Sequence, residues 1–241
     1  MAIELPEEVV SFLSLIGINW PTVNEDKVRE FASHVREFAE NVEAAHQDST
    51  ATVKRLREAY DGASYEALLA KWGQLSDRHM EELVRACHAV ATALDVAADV
   101  IVGMKVETIA ELIVLAVTFV ADQAAAVATF GVAEAALIAI EEAAKRLVNA
   151  LEQQLEQYLI GQVIEAAIDP LIEVVAGAVS GLVFQAAESA LGVSGGGPGS
   201  SGFRIDPDAL ESHARTMHGH AETVAGHAQA FQSKIAGVSF E

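Results

Sequence analysis

LREAYDGASYEALLAKW, residues 56–72, interrupts a long periodic helix at Asp61-Gly62 and restarts it with the same periodicity a few residues later. Upstream, Val28, Phe31, Val35, Phe38, Val42, Ala45, Ser49, Thr52, Leu56 and Ala59 follow one another in steps of 3,4,3,4,3,4,3,4,3. That is a sustained heptad seam, the pattern of a helix packed lengthwise on a partner helix. Ser49 and Thr52 weaken it around HQDST, where a kink or loose packing is expected. Downstream, Leu69, Trp72, His79, Leu83, Ala86, Val90, Ala93 and Val100 continue an apolar stripe. Two long helices joined by so short a turn must lie antiparallel. Tyr60, Asp61, Gly62 and Trp72 form the expected turn group, with Gly62 giving the positive φ that ends the first helix and Ser64 capping the second.

Ahead of the hairpin, Pro6 opens a short helix, EEVVSFLSLI, that Gly17 ends. The link INWP follows, and the Trp20 indole is expected to act as a packing anchor in a groove between helices. Thr22 and Glu25 have the spacing of a capping box for the long helix.

Beyond the hairpin, residues 101–191 are apolar nearly all round a helix, with breaks expected near Gly103, Gly131, Gly161 and Asp169-Pro170. GAVSG at 177–181 has the small-xxx-small spacing of closely packed helices, a weak signal in so alanine-rich a chain. VSGGGPGSSG, residues 193–202, is a flexible linker by composition. After it, Asp206 caps and Pro207 opens a last helix with a seam at Leu210, Ala214, Met217, Ala221, Val224, Ala228, Phe231 and Ile235. That stripe has no second helix of its own to cover it. The main domain, another copy or a different protein must do so.

The expected fold is therefore all-α: a long antiparallel hairpin over about residues 22–102, extended by an apolar helical bundle over about 103–192. A linker at 193–202 and a C-terminal helix within 203–241 complete it. Apolar residues make up 51% of the 241, enough for a sizeable core.

The net charge of −20 excludes a phosphate-binding face, so no nucleic acid partner is expected, and it opposes docking on anionic lipid. In the apolar region the longest uncharged run, Val174 to Ala187, has fourteen residues. That is short of the roughly 18–20 a spanning helix needs, so buried bundle helices are favoured over membrane insertion. MAIELPEEVV has no basic n-region, and a Sec-type signal peptide is not expected. With Cys87 alone no intrachain disulfide can form, and its apolar helical surroundings suit a small buried residue better than a nucleophile.

No catalytic set emerges. His213, His220 and His227 recur every seven residues, which spaces them about 10.5 Å apart along a helix, too far to chelate one metal ion. The formal G-x-S-x-G match at Gly192–Gly196 opens a linker rather than a strand-to-helix elbow. The neighbouring glycines lack a phosphate-loop Lys-Ser/Thr. Neither a cofactor nor an enzymatic activity is expected.

The hairpin resembles the WXG100 (ESAT-6-like) proteins exported by type VII secretion systems. Tyr60-Asp61-Gly62 stands where W-x-G would be, and Leu68 and Trp72 match the bulky positions after the turn. LPEEVVSFLSLIGINWPTVNEDKVREFA, the hairpin and the alanine-rich helices are similar, over roughly residues 1–192, to the WXG100-like N-terminal domains of actinobacterial polymorphic toxins. That group includes a mycobacterial channel protein with a necrotizing toxin at its C-terminus. Residues 203–241 resemble the first helix of a second, incomplete hairpin. The YxxxD/E export pattern of the family is missing: Tyr65 is followed by EALL and Tyr158 by LIGQ.

The resemblance implies a secreted or cell-surface protein that leaves the cytoplasm by a signal-peptide-independent route. Its partners would be a small WXG100-like protein, or another copy, and the type VII machinery. The seam Leu210, Met217, Val224, Phe231 and Ile235 is the expected partner face, and Phe231→Asp should abolish that complex while leaving the main domain folded. A channel-forming role for residues 101–191 is the alternative.

Overall fold

The long elements expected to be helical are helical wherever the computed structural model describes them, over residues 3–73, 78–128, 134–173, 175 and 204–240. Helix α1 (Glu7–Ile16) starts after Pro6, whose φ of −57° is already helical, and whose carbonyl accepts from Val9 and Val10 N–H. Gly17 ends it at φ 69°, with Gly17 N–H donating to the Ser14 carbonyl and Ile18 N–H to the Leu13 carbonyl. This is a Schellman closure, and Leu13 and Ile18 then join the same apolar cluster. A Cβ at Gly17 would meet nothing within 4 Å, so only the backbone resists substitution. Gly17→Ala should therefore lose about 1–2 kcal/mol, the strain of an L-residue in the left-handed region, as read by denaturant unfolding.

Helix α2 (Glu25–Ala59) is capped by Asn24, whose Oδ1 accepts from Asp26 N–H at 2.9 Å. The expected Thr22–Glu25 capping box does not form, because the Glu25 side chain is wholly buried and spent on an ion pair. All ten positions of the α2 seam, from Val28 to Ala59, are buried. The expected kink at HQDST is not a break in the helix. Ser49 and Thr52 donate their hydroxyls back to the Ala45 and Asp48 carbonyls, satisfying both groups inside the core.

At the turn, Tyr60–Asp61 (β1) leaves the helix and pairs antiparallel with Arg204–Ile205 (β2), Tyr60 opposite Ile205. Gly62 is extended, with φ 160° and ψ 174°, so the expected left-handed stop does not occur there. Helix α3 (Ala63–Trp72) begins with Gly62 as its N-cap and without a side-chain cap, which places Ser64 inside the first turn.

Helix α4 (Arg78–Ala128) runs 51 residues straight through Gly103. One mid-helix glycine costs about 1 kcal/mol relative to alanine, less than the burial on either side of it supplies. The apolar register along α4 also differs from the expected one. Met80, Leu83, Cys87, Ala91, Leu94, Ala98, Ile101, Ile109, Leu112, Ala116 and Phe119 are buried, whereas Ala93 and Val100 are exposed and Val90 only half-buried. A helix that is apolar all round carries little information about which side faces inward.

Helix α5 (Glu134–Tyr158) passes into a π-helical stretch, Leu159–Ile168, and regular helix resumes over residues 169–173. The interruptions expected at Gly161 and Asp169-Pro170 are thus changes of helix type rather than ends. Helix α6 (Pro207–Ala236) starts as expected, with Asp206 accepting from Ala209 N–H at 3.1 Å and Pro207 in the first turn. The expected break at Gly131, the GAVSG spacing and the 193–202 linker lie outside the described residues.

Two compact units share these helices: residues 1–30, 93–167 and 239–241 form one, and 31–92 with 168–238 the other. The first has a core of Val9, Phe12 and Leu13 from α1, Leu112, Ala116 and Phe119 from α4, and Ile140, Ala144 and Val148 from α5.

Candidate interaction surfaces

In the second unit the hairpin is zipped antiparallel by named pairs. Tyr65 Oη donates to the Lys54 carbonyl at 3.1 Å, and Trp72 Nε1 donates to Thr50 Oγ1 at 3.0 Å. The Trp72 indole also stacks on the His46 ring, at 5.8 Å between centroids and 9° between planes. As position falls along α2, it rises along α3. Of the expected turn group, Trp72 therefore touches α2, Tyr60 and Asp61 lie in the strand pair, and Gly62 caps α3.

Tyr65, only 2% exposed, stands outside the turn group that the sequence singles out. Its signal was present: Tyr65, Leu69 and Trp72 fall at i, i+4 and i+7, one face of a helix. Trp72→Phe should keep the ring but lose the indole N–H bond, costing about 0.5–1.5 kcal/mol in denaturant unfolding.

The same unit contains α6, laid antiparallel on α2. Phe231 stacks on Phe38 with centroids 4.6 Å apart, Lys234 Nζ reaches Glu37 at 2.6 Å, and His220 Nε2 lies 3.0 Å from Thr52 Oγ1. The Lys234 hydrogen bond and charge hold the Glu37 carboxyl below its ordinary value. Phe231 is 3% exposed, so the expected partner position is taken up within this chain, and Phe231→Asp would disturb the chain's own packing first. Leu210, Met217, Val224 and Ile235 are half-buried.

In the first unit, Trp20 is partly buried against the α1/α4/α5 core. A second feature there has no counterpart in the sequence patterns. Lys105 Nζ pairs with Glu25 Oε2 at 2.6 Å, both side chains almost fully buried. Lys105 also donates to the Val23 carbonyl, and Glu25 Oε1 accepts from Ile3 N–H at 2.6 Å. Burial pushes the Glu25 carboxyl up, but the bonds from Lys105, Ile3 and its own backbone, with the Lys105 charge, hold it below the usual value. Arg29 and Asp99, at 2.8 Å, make a second cross-link between α2 and α4 on the surface.

Cys87 is buried, and burial pushes its thiol up to about 11, so it stays protonated and unreactive at neutral pH. An open groove of about 430 Å³ is lined by Glu43, His46, Gln47, Met80, Glu81, Val84, Arg85 and His88, with no nucleophile beside a base. Among the described residues no group of three His, Cys, Asp or Glu could hold a metal ion.

Paired long helices, a buried heptad seam and side-chain locks across the turn define a helical-hairpin packing protein. Residues 2–147 match the family described as WXG100 like domain. The chain belongs to this WXG100-like family, whose helical proteins are associated with type VII secretion. No curated protein and no solved structure matches it.

Proposed function

We propose that this chain is a non-enzymatic trafficking and assembly module of a type VII secretion substrate. In this reading it pairs with a small WXG100-like protein and delivers toxin cargo attached on its C-terminal side, as in actinobacterial polymorphic toxins. It waits in the cytoplasm and is exported without a Sec signal, to the cell surface or beyond. The observation that carries the reading is the family match over residues 2–147, on a hairpin whose α2 seam is buried from end to end. Co-expression with small WXG100-like proteins tests it: a stoichiometric complex on size exclusion with light scattering is expected. Failure of every such candidate to co-elute would sink the pairing.

One observation favours a second reading, a membrane-active domain built on residues 101–191. Helix α4 exposes Val106, Val114, Val117 and Val120, each more than half accessible. No described helix is long and apolar enough to cross a membrane, so insertion would require oligomerisation. Dye release from liposomes at neutral pH would support it, and none at any protein dose would exclude it.

A further inference from the structure

Helix α6 is held to its unit by few groups. Of the residues in Pro207–Ala236 only Ala228 and Phe231 are buried. Among the described residues the other attachments are the exposed Lys234–Glu37 pair, the Thr52–His220 contact, the two-residue strand pair, the Asp206 N–H bond to the Ala59 carbonyl and the half-buried Leu210, Met217, Val224 and Ile235. Exposed ion pairs are screened by solvent and contribute little. An amphipathic helix with so little buried area is drawn from the low-stability end of a fold and opens before the rest.

The α2 side chain it stacks on is different in kind. Phe38 is 2% exposed and belongs to the same heptad seam as the buried Val35, Val42 and Ala45. Phe38 stacks on Phe231 near the C-terminal end of α6, and Glu37 beside it supplies negative charge. When α6 leaves, the Phe38 ring is uncovered and the neighbouring Glu37 carboxylate loses its cation. Residues 176–203 keep the departed helix tethered, so it competes for its own seat at high effective concentration.

We propose that α6 is a displaceable occupant of this seat, detaching as a unit and giving up the α2 face around Phe38 to an amphipathic helix of another chain. The incoming helix must present an aromatic residue and a cation three residues later, as Phe231 and Lys234 do. This inference rests on the pairing reading above, and adds where the partner helix sits and what it has to displace. To displace α6, the incoming helix must bury enough more on α2 to offset the effective concentration of the tethered helix.

The test uses the full chain and a labelled synthetic peptide of residues 204–240. In native-state hydrogen exchange, α6 amides should exchange at least about tenfold faster than those of α2, the signature of opening below the global limit. Exchange of both helices at one common rate would overturn detachment. Phe231→Ala in the chain should tighten peptide binding about tenfold, because the cis competitor is weakened. No gain would overturn the competition. Glu37→Lys in the chain, a substitution at an exposed position, weakens the cis helix and the native peptide alike, so a peptide carrying Lys234→Glu should bind that variant several-fold tighter than the native peptide does. Absence of that preference would place the peptide elsewhere and overturn the assignment of the seat. The probe contains no WXG100-like partner, so this inference and the pairing reading fail separately.

Discussion

Lys105→Met should destabilise the protein by about 3–5 kcal/mol, because it strands a buried carboxylate. Glu25 is 0% exposed and would keep only backbone donors, while the Val23 carbonyl would lose the Lys105 donor. The pH dependence gives a sharper reading than the size of the loss. In the native protein the Glu25 carboxyl is held below its ordinary 4.5, so its contribution is complete above that value and disappears as pH falls through the lowered one. In the variant, burial acts without the lysine and pushes the carboxyl up. Stability should then be worst at neutral pH and partly recover on acidification, the opposite slope. Urea unfolding between pH 3 and 8 would show it, and parallel pH profiles for the two proteins would refute the ion pair's role. The double change Glu25→Gln with Lys105→Met should regain much of the loss, since buried ion pairs are often replaceable by uncharged groups.

Phe12→Ala should cost about 3–5 kcal/mol, the usual range for deleting a buried aromatic side chain. Phe12 is 5% exposed and packs on Phe119 at 5.2 Å between centroids, tilted by 54°. Helix α1 has ten residues, too few to remain helical without its anchor. Only Val9 and Leu13 would remain as its fully buried residues. Phe119→Ala should cost a similar amount, and the double variant less than the sum, because the two rings share one contact. Leu15, 64% exposed on the same helix, is the control: Leu15→Ala should stay within about 0.5 kcal/mol. Equal losses at Phe12 and Leu15 in guanidinium unfolding would mean that α1 does not pack as described.

The tail helix bears on both the proposed pairing and its regulation. Its apolar stripe is covered by Phe38 on α2 where the stripe is most buried. A seat already filled within the chain changes what a partner experiment means. A partner that binds only the Phe231→Ala chain is competing with α6, not failing to recognise the hairpin.

Local and periodic features were readable from the residues alone. Pro6 and Gly17 delimit α1, Asp206-Pro207 opens α6, and the heptad from Val28 to Ala59 is buried at every position. Each depends on neighbours within a turn or two, where backbone geometry and side-chain period leave one answer. Tertiary structure alone decided three other things. The buried side of α4 could not be read, because valine and alanine surround that helix and only its neighbours select a face. The Glu25–Lys105 pair joins residues 80 apart, and an acid beside a helix start reads as a cap until a cation is brought to it. The cover over Phe231 comes from Phe38, nearly two hundred positions earlier in the chain. A seam states that it must be buried; only the packed chain states by what.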